Sequence, residues 1–226
     1  MRYLRQVFTI ASKDLRSEIR TKESLNAAIS FAIVILVLFS FAMDPSSDQM
    51  REMSGGLLWL VFAFAGALIL NRSFARELSN DCLDALVSSP IPGSALFLGK
   101  AIANFVLLMI VEFVAMPIFG ILYNMDWMRQ PLWLAAVLLL ATWGITVIGT
   151  MFSALTVNLR MRELMLPTLI YPMMIPALMA AMRLTTLLIN GEGIPADDWI
   201  WVRLIVGFDI IFTALAVTLV EVVLVG

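Results

Sequence analysis

RSFARELSNDCLDALVSSPIPGSALFLGK, residues 72–100, is the longest polar interruption between two segments apolar enough to cross a bilayer. Outward from it, in both directions, long apolar runs dominate. Of 226 residues, 61% are hydrophobic and 14% charged, and the mean hydropathy is +0.94, far from the profile of a soluble globular domain. The chain reads as an all-α integral membrane protein. A spanning helix needs about 20 apolar residues, so the chain accommodates about six in one domain and leaves no room for a soluble domain beside them. The stretch at 72–100 is then the place where a soluble partner can drive the protein.

The six spans are expected at Leu25–Met43, Gly55–Leu70, Ala101–Tyr123, Leu132–Val157, Leu164–Ile189 and Arg203–Val225, inside a single transmembrane domain over residues 1–226. The second is short and needs flanking residues such as Met53 or Asn71 to complete it. The fifth contains Pro167, Pro172 and Pro176; each proline removes a backbone donor, so a kink or a break is expected there. Gly149 with Ser153, and Ala177 with Ala181, are small-xxx-small pairs that permit close helix approach in lipid.

Residues 1–24 are too charged to span, yet Leu4, Phe8, Ala11, Leu15 and Ile19 recur at helical spacing among Arg5, Lys13, Arg16 and Arg20. That pattern predicts an amphipathic helix lying in the interface plane on an anionic leaflet, the alternative being a solvated basic tail. A cleaved signal peptide is not expected, since the apolar run ends at Met43-Asp44-Pro45 without a small-residue cleavage site. Eleven Lys and Arg fall on the side of the N-terminus and the 72–100 loop; four, Arg51, Arg129, Arg183 and Arg203, fall on the other, with Glu192, Asp197 and Asp198. Both termini and the loop are therefore expected in the cytoplasm.

Within the loop, Asn80 or Asp81 can cap a short helix running through Leu86 or Val87, which Pro90 stops. Pro92 and Gly93 extend the break until Ser94 can cap the next helix. Leu83, Leu86 and Val87 would share one face of the short helix. Such a knob either is gripped by a soluble partner or docks the loop on the bilayer surface; the residues alone leave both open.

Two carboxylates, Glu112 in span three and Asp209 in span six, lie at depths where charge costs several kcal/mol unless paired or hydrated. They are the intramembrane polar candidates. Asp209 could pair with Arg203 or Arg183, and either acid could simply hydrogen-bond a Ser, Thr or Trp of a neighbouring helix. Histidine is absent from all 226 residues, so this chain can supply no imidazole to heme iron or copper. The methionines at 161, 165, 173, 174, 179 and 182 could ligate through sulfur, but packing around proline-bearing helix is the favoured reading. No catalytic residue, metal ligand or bound cofactor is expected. Cys82 is the sole cysteine, which excludes an intrachain disulfide. Gly93 to Ala101 superficially resembles a P-loop but has one residue too many between its glycines, no hydroxyl after Lys100 and no preceding strand. Any ATPase must be another chain.

The pattern of Glu77, then Cys82-Leu83-Asp84-Ala85-Leu86, Ser89-Pro90-Ile91-Pro92 and Leu98-Gly99-Lys100 resembles the cytoplasmic signature of ABC-2 type permeases, the membrane halves of ABC exporters. Length, six spans, the basic N-terminal helix and Gly55-Gly56-Leu57-Leu58-Trp59 narrow the resemblance to the heme exporter B (CcmB) family of cytochrome c maturation. Asp81 and Cys82 stand where that family usually has Gly and Ser or Thr, and Asp84 replaces Glu. The resemblance implies a type V exporter-like fold in the bacterial inner membrane and a permease homodimer. It implies a coupling loop over residues 71–100, where an ATPase subunit (CcmA-like) docks through Glu77, Asp81, Leu83, Asp84, Leu86, Pro90 and Pro92. Further implied partners are a heme-handling membrane subunit (CcmC-like), a small membrane subunit (CcmD-like) and a periplasmic heme chaperone (CcmE-like), with the lipid bilayer around them and no nucleic acid. ATP would sit on the partner, and heme would be cargo of the complex. Other readings are an ABC-2 permease for lipid, drug or copper-related cargo, and a non-transporting scaffold subunit. The hairpin at 190–202, with Trp199 and Trp201 suited to the headgroup belt, is expected from the resemblance to dip into the outer leaflet over Ile194–Trp201.

Overall fold

A computed structural model describes the backbone of residues 2–45, 47–74, 91–156 and 162–225, and the side chains of 3–45, 47–74, 91–156 and 168–220. Seven α-helices follow in order among the described residues: α1 (Arg2–Thr21), α2 (Glu23–Ala42), α3 (Asp48–Leu70), α4 (Gly93–Tyr123), α5 (Pro131–Thr156), α6 (Arg162–Asn190) and α7 (Trp199–Val225). Six of them are long and apolar enough to cross a membrane; α1 is not among these.

The span that looked short is completed at its N-terminal side. Ser47 caps α3, its hydroxyl accepting the amide of Met50 at 3.2 Å, so the helix starts seven residues before Gly55 and reaches 23 residues. This helix is the most enclosed of the bundle: Leu58, Trp59, Val61, Phe62 and Ala65 are fully buried. Trp59 donates its indole N–H to the Thr185 hydroxyl of α6 at 2.8 Å. One turn earlier, Gly55 donates its amide to Thr186 Oγ1 at 3.1 Å, a contact that a side chain at 55 would block.

The proline-bearing span does not break. α6 runs without interruption from Arg162 to Asn190, through Pro167, Pro172 and Pro176. In a bilayer the neighbouring helices hold such a segment helical even where backbone bonds are lost, and α6 is seated against both α3 and α5, with Ile170, Met174, Ala177, Ala181 and Leu184 buried. The pair Ala177 and Ala181 therefore serves contacts within the subunit. So does the other pair: a Cβ on Gly149 would lie 2.2 Å from Leu70 Cδ1, and Ser153 Oγ donates to the Leu70 carbonyl at 2.9 Å.

At the end of α6, Gly191 takes a φ of 81° and the amide of Glu192 reaches the Leu187 carbonyl at 3.0 Å, the Schellman closure that glycine favours. A single 3-10 turn at Ala196–Asp198 then leads straight into α7 at Trp199. Residues 196–198 form this turn and 199–201 the first residues of α7, which starts four residues ahead of the expected Arg203.

α1 is the helix expected at 1–24, and beside the expected apolar stripe it has a second face that packs on the bundle. Val7, Ile10, Ala11 and Glu18 are buried against the bundle, while Leu4, Phe8 and Ile19 are exposed. The helix carries apolar residues on more than one side, and docking against α4 selected the side bearing the smaller Ala11, where backbones approach closely. Lys22, in the left-handed region at φ 54°, separates α1 from α2.

Candidate functional site

The segment singled out by sequence is described up to Phe74 and again from Ile91. Glu77, Asp81, Leu83, Asp84, Leu86 and Pro90, together with the helix expected between Asn80 and Val87, lie outside the described residues. What is defined is the foot on which the segment stands: the turn at residues 71–74, the first turns of α4, and α1 beside them.

α4 begins eight residues before the expected span. Pro92, in an extended conformation, occupies its cap position, and the Pro92 carbonyl accepts the amides of Ala95 and Leu96 at 2.9 and 3.2 Å. Ser94 is not the cap; it is buried within the first turn. The stretch from Gly93 to Lys100 that superficially resembles a P-loop is thus helix. Gly99 lets α1 lie against it, since a Cβ there would sit 2.7 Å from Ile10 Cβ.

Beside that glycine stands Lys100, whose side chain is only 1% exposed. A buried ammonium is tolerated only where charge and hydrogen bonds replace water. Lys100 Nζ meets Asp14 Oδ2 of α1 at 3.2 Å, donates to the Ser73 carbonyl at 2.8 Å, and lies 4.7 Å from the ring centroid of the fully buried Phe74. One turn further along α4, Asn104 donates to Ser73 Oγ and to Thr150 Oγ1 of α5, each at 2.9 Å. Arg72 reaches Glu23 at the start of α2 at 2.6 Å, and the buried Glu18 accepts the amide of Leu25 at 2.9 Å. The turn where α3 gives way to the 75–90 segment is therefore tied to α1, α2, α4 and α5.

Sequence reasoning used Lys100 as one positive charge among eleven and as the end of the Leu98-Gly99-Lys100 signature, and gave it no partner. Its signal was present in the pairing of a small residue with a cation at the head of an apolar helix, but the partner Asp14 is 86 positions away and nothing local points to it.

Glu112 and Asp209 are not brought together. Glu112 is buried on α4 and accepts the Thr142 hydroxyl of α5 through Oε1. Asp209 is buried where α7 crosses α5 at Gly144; a Cβ on that glycine would lie 2.7 Å from Asp209 Oδ1. Thr142 and Gly144 point about 200° apart around α5, so the two acids flank that helix on different sides. Neither Asp209 oxygen nor Glu112 Oε2 has a hydrogen-bond partner among the described residues. Arg183 is engaged by Asp198, with nitrogen–oxygen distances of 3.2 and 3.4 Å, so it does not pair with Asp209.

Among the described residues, the methionines of span five do not converge. Met174 is buried in the core, whereas Met173 and Met179 are exposed and Met182 is partly buried; Met161 and the side chain of Met165 lie outside what is described. Met182 instead joins Met43, Met50 and Met53 in lining a cavity of about 450 Å³ between α2, α3 and α6. Among the described residues no group of three or more His, Cys, Asp or Glu is placed to hold a metal.

Six apolar helices packed as one bundle, with an amphipathic seventh braced against the foot of a polar connection, define a multi-pass membrane protein of permease type. The family model described as CcmB protein matches residues 5–221. Heme exporter protein B of Rhodobacter capsulatus is 33% identical over 169 residues, covering 75% of this chain and 77% of that protein. Heme exporter protein B of Pseudomonas aeruginosa is 30% identical over 201 residues, 88% and 85% of the two chains, and that of Paracoccus denitrificans is 30% identical over 166 residues, 74% and 76%. The chain belongs to the CcmB family.

Proposed function

We propose that this chain is the permease subunit of an ATP-driven heme-export assembly that serves c-type cytochrome biogenesis. The observation that carries the reading is the family match across residues 5–221; relatives named heme exporter protein B that match most of their own length support it. The chain is the non-catalytic, membrane-embedded half. It lies in the bacterial inner membrane with both termini and the 75–90 segment in the cytoplasm, as the eleven-to-four bias of Lys and Arg supports.

In this reading a separate ATPase subunit closes on ATP and displaces the 75–90 segment through Leu83 and Leu86, and spans rearrange at a permease dimer. A heme-handling membrane subunit, a small membrane subunit and a periplasmic heme chaperone complete the assembly. The absence of histidine favours a version in which ATP work releases the loaded chaperone from the neighbouring heme-handling subunit, over one in which this chain ligates heme iron in transit.

A strain lacking this gene tests the reading. It is expected to make no holo c-type cytochromes while retaining b-type ones, with recovery on supplying the gene. Normal c-type cytochromes in the deletion strain, with a defect in lipid, drug or copper export instead, would overturn it.

A further inference from the structure

Three features meet at Lys100. It is a cation with 1% of its side chain exposed. Its contacts reach two separate elements: Asp14 on α1, and the Ser73 carbonyl and Phe74 ring on the turn that opens the 75–90 segment. Its neighbour Gly99 brings α1 against α4 so closely that a Cβ there would collide with Ile10. A surface lysine would make α1 a loosely lying amphipathic helix; a buried one makes α1, the turn at residues 71–74 and the head of α4 a single body.

The consequence follows from chain connectivity. Displacement of residues 75–90 can enter the bundle through the chain only at Phe74 and Ile91. The first of these stands one residue after the carbonyl that Lys100 holds. The second stands two residues before the helix that carries Lys100. Asn104, one turn along the same face of α4, continues the tie to Ser73 and α5. We infer that Lys100 is a positioning residue for energy coupling: through Asp14 and Ser73 it makes α1 move with the foot of the loop, so that ATP-driven displacement of the loop shifts α1 along the membrane surface as well as the spans. This rests on the reading that an ATPase subunit acts on the 75–90 segment.

The test uses the whole membrane complex with its ATPase. Lys100→Met keeps the volume and removes the charge; Asp14→Asn removes the other partner at a position still partly open to solvent and serves where Lys100→Met fails to accumulate. Three quantities are read: ATPase co-purification, c-type cytochrome yield, and backbone hydrogen exchange in α1 with the complex trapped in ADP-bound and ATP-bound states. The expected result is unchanged co-purification, a cytochrome yield at least tenfold lower, and loss of the nucleotide-dependent change in α1 exchange that the unmodified complex shows. A merely structural lysine would raise α1 exchange equally in both nucleotide states. That outcome, or cytochrome yield at the unmodified level in whichever variant accumulates, overturns the inference. Leu83→Asp with Leu86→Asp, measured alongside, separates this from the underlying reading, which fails if that variant keeps its ATPase.

Discussion

Gly55 and Gly56 are adjacent on α3 and meet opposite surroundings. A Cβ on Gly55 would lie 2.2 Å from the Met182 carbonyl of α6, while one on Gly56 would meet nothing within 4 Å. Gly55→Val is therefore expected to force α3 and α6 apart and to cost about 1–3 kcal/mol, the usual scale of overpacking. Gly56→Ala should be neutral or stabilising by up to about 1 kcal/mol, since alanine is the better helix former. Thermal unfolding of the two variants in detergent checks this; equal melting temperatures would contradict the close contact. Trp59→Phe removes the indole donor to Thr185 and should lower stability modestly, by about 0.6 kcal/mol for a hydrogen bond between helices in lipid, in the same assay. The sequence marked Gly55 and Gly56 as a pair and gave no means of telling them apart, because the difference lies in a helix more than a hundred residues away.

At the scale of elements, the six spans were legible because their signal is local: about 20 apolar residues in succession with polar ends. Their limits were less so. Ser47 starts α3 within a polar stretch that no hydropathy window would include, and α4 runs two turns below its apolar part because α1 covers it there. The three prolines of α6 were read by local rules, which predict a kink or a break; the helix does not break, held by α3 and α5 on either side. The face of α1 that meets the bundle was not read for a related reason: apolar residues on two sides of one helix do not say which side meets protein and which meets lipid. Orientation is a property of the elements as a set, and it can be measured. Ser79→Cys and Asp197→Cys, each in a Cys82→Ser background, should react with a membrane-impermeant maleimide from opposite faces, residue 79 from the cytoplasm. Reaction of both from the periplasm would contradict the positive bias and the docking of an ATPase on the loop.

For the molecule as a whole, the class and the family were readable from the chain, since composition and short signatures suffice for both. The candidate site was legible only in part: the location of the loop is a sequence feature, but its bracing by Asp14, Lys100, Ser73 and Asn104 is assembled from three separate segments. With no histidine among 226 residues and Met174 enclosed by the core, the purified chain should show no stoichiometric, axially ligated heme in its Soret spectrum. A defined methionine-ligated spectrum that disappears in Met173→Leu or Met174→Leu would contradict this. The account stands most directly on one measurement, co-purification of the ATPase with the Leu83→Asp, Leu86→Asp variant. Two carboxylates placed in a small desolvated contact cost about a few kcal/mol, enough to weaken association more than tenfold. The variant should insert and accumulate as usual, lose its ATPase, and abolish c-type cytochrome production; a well-accumulated variant that keeps both would contradict the assignment of this chain's loop as the point where ATP does its work.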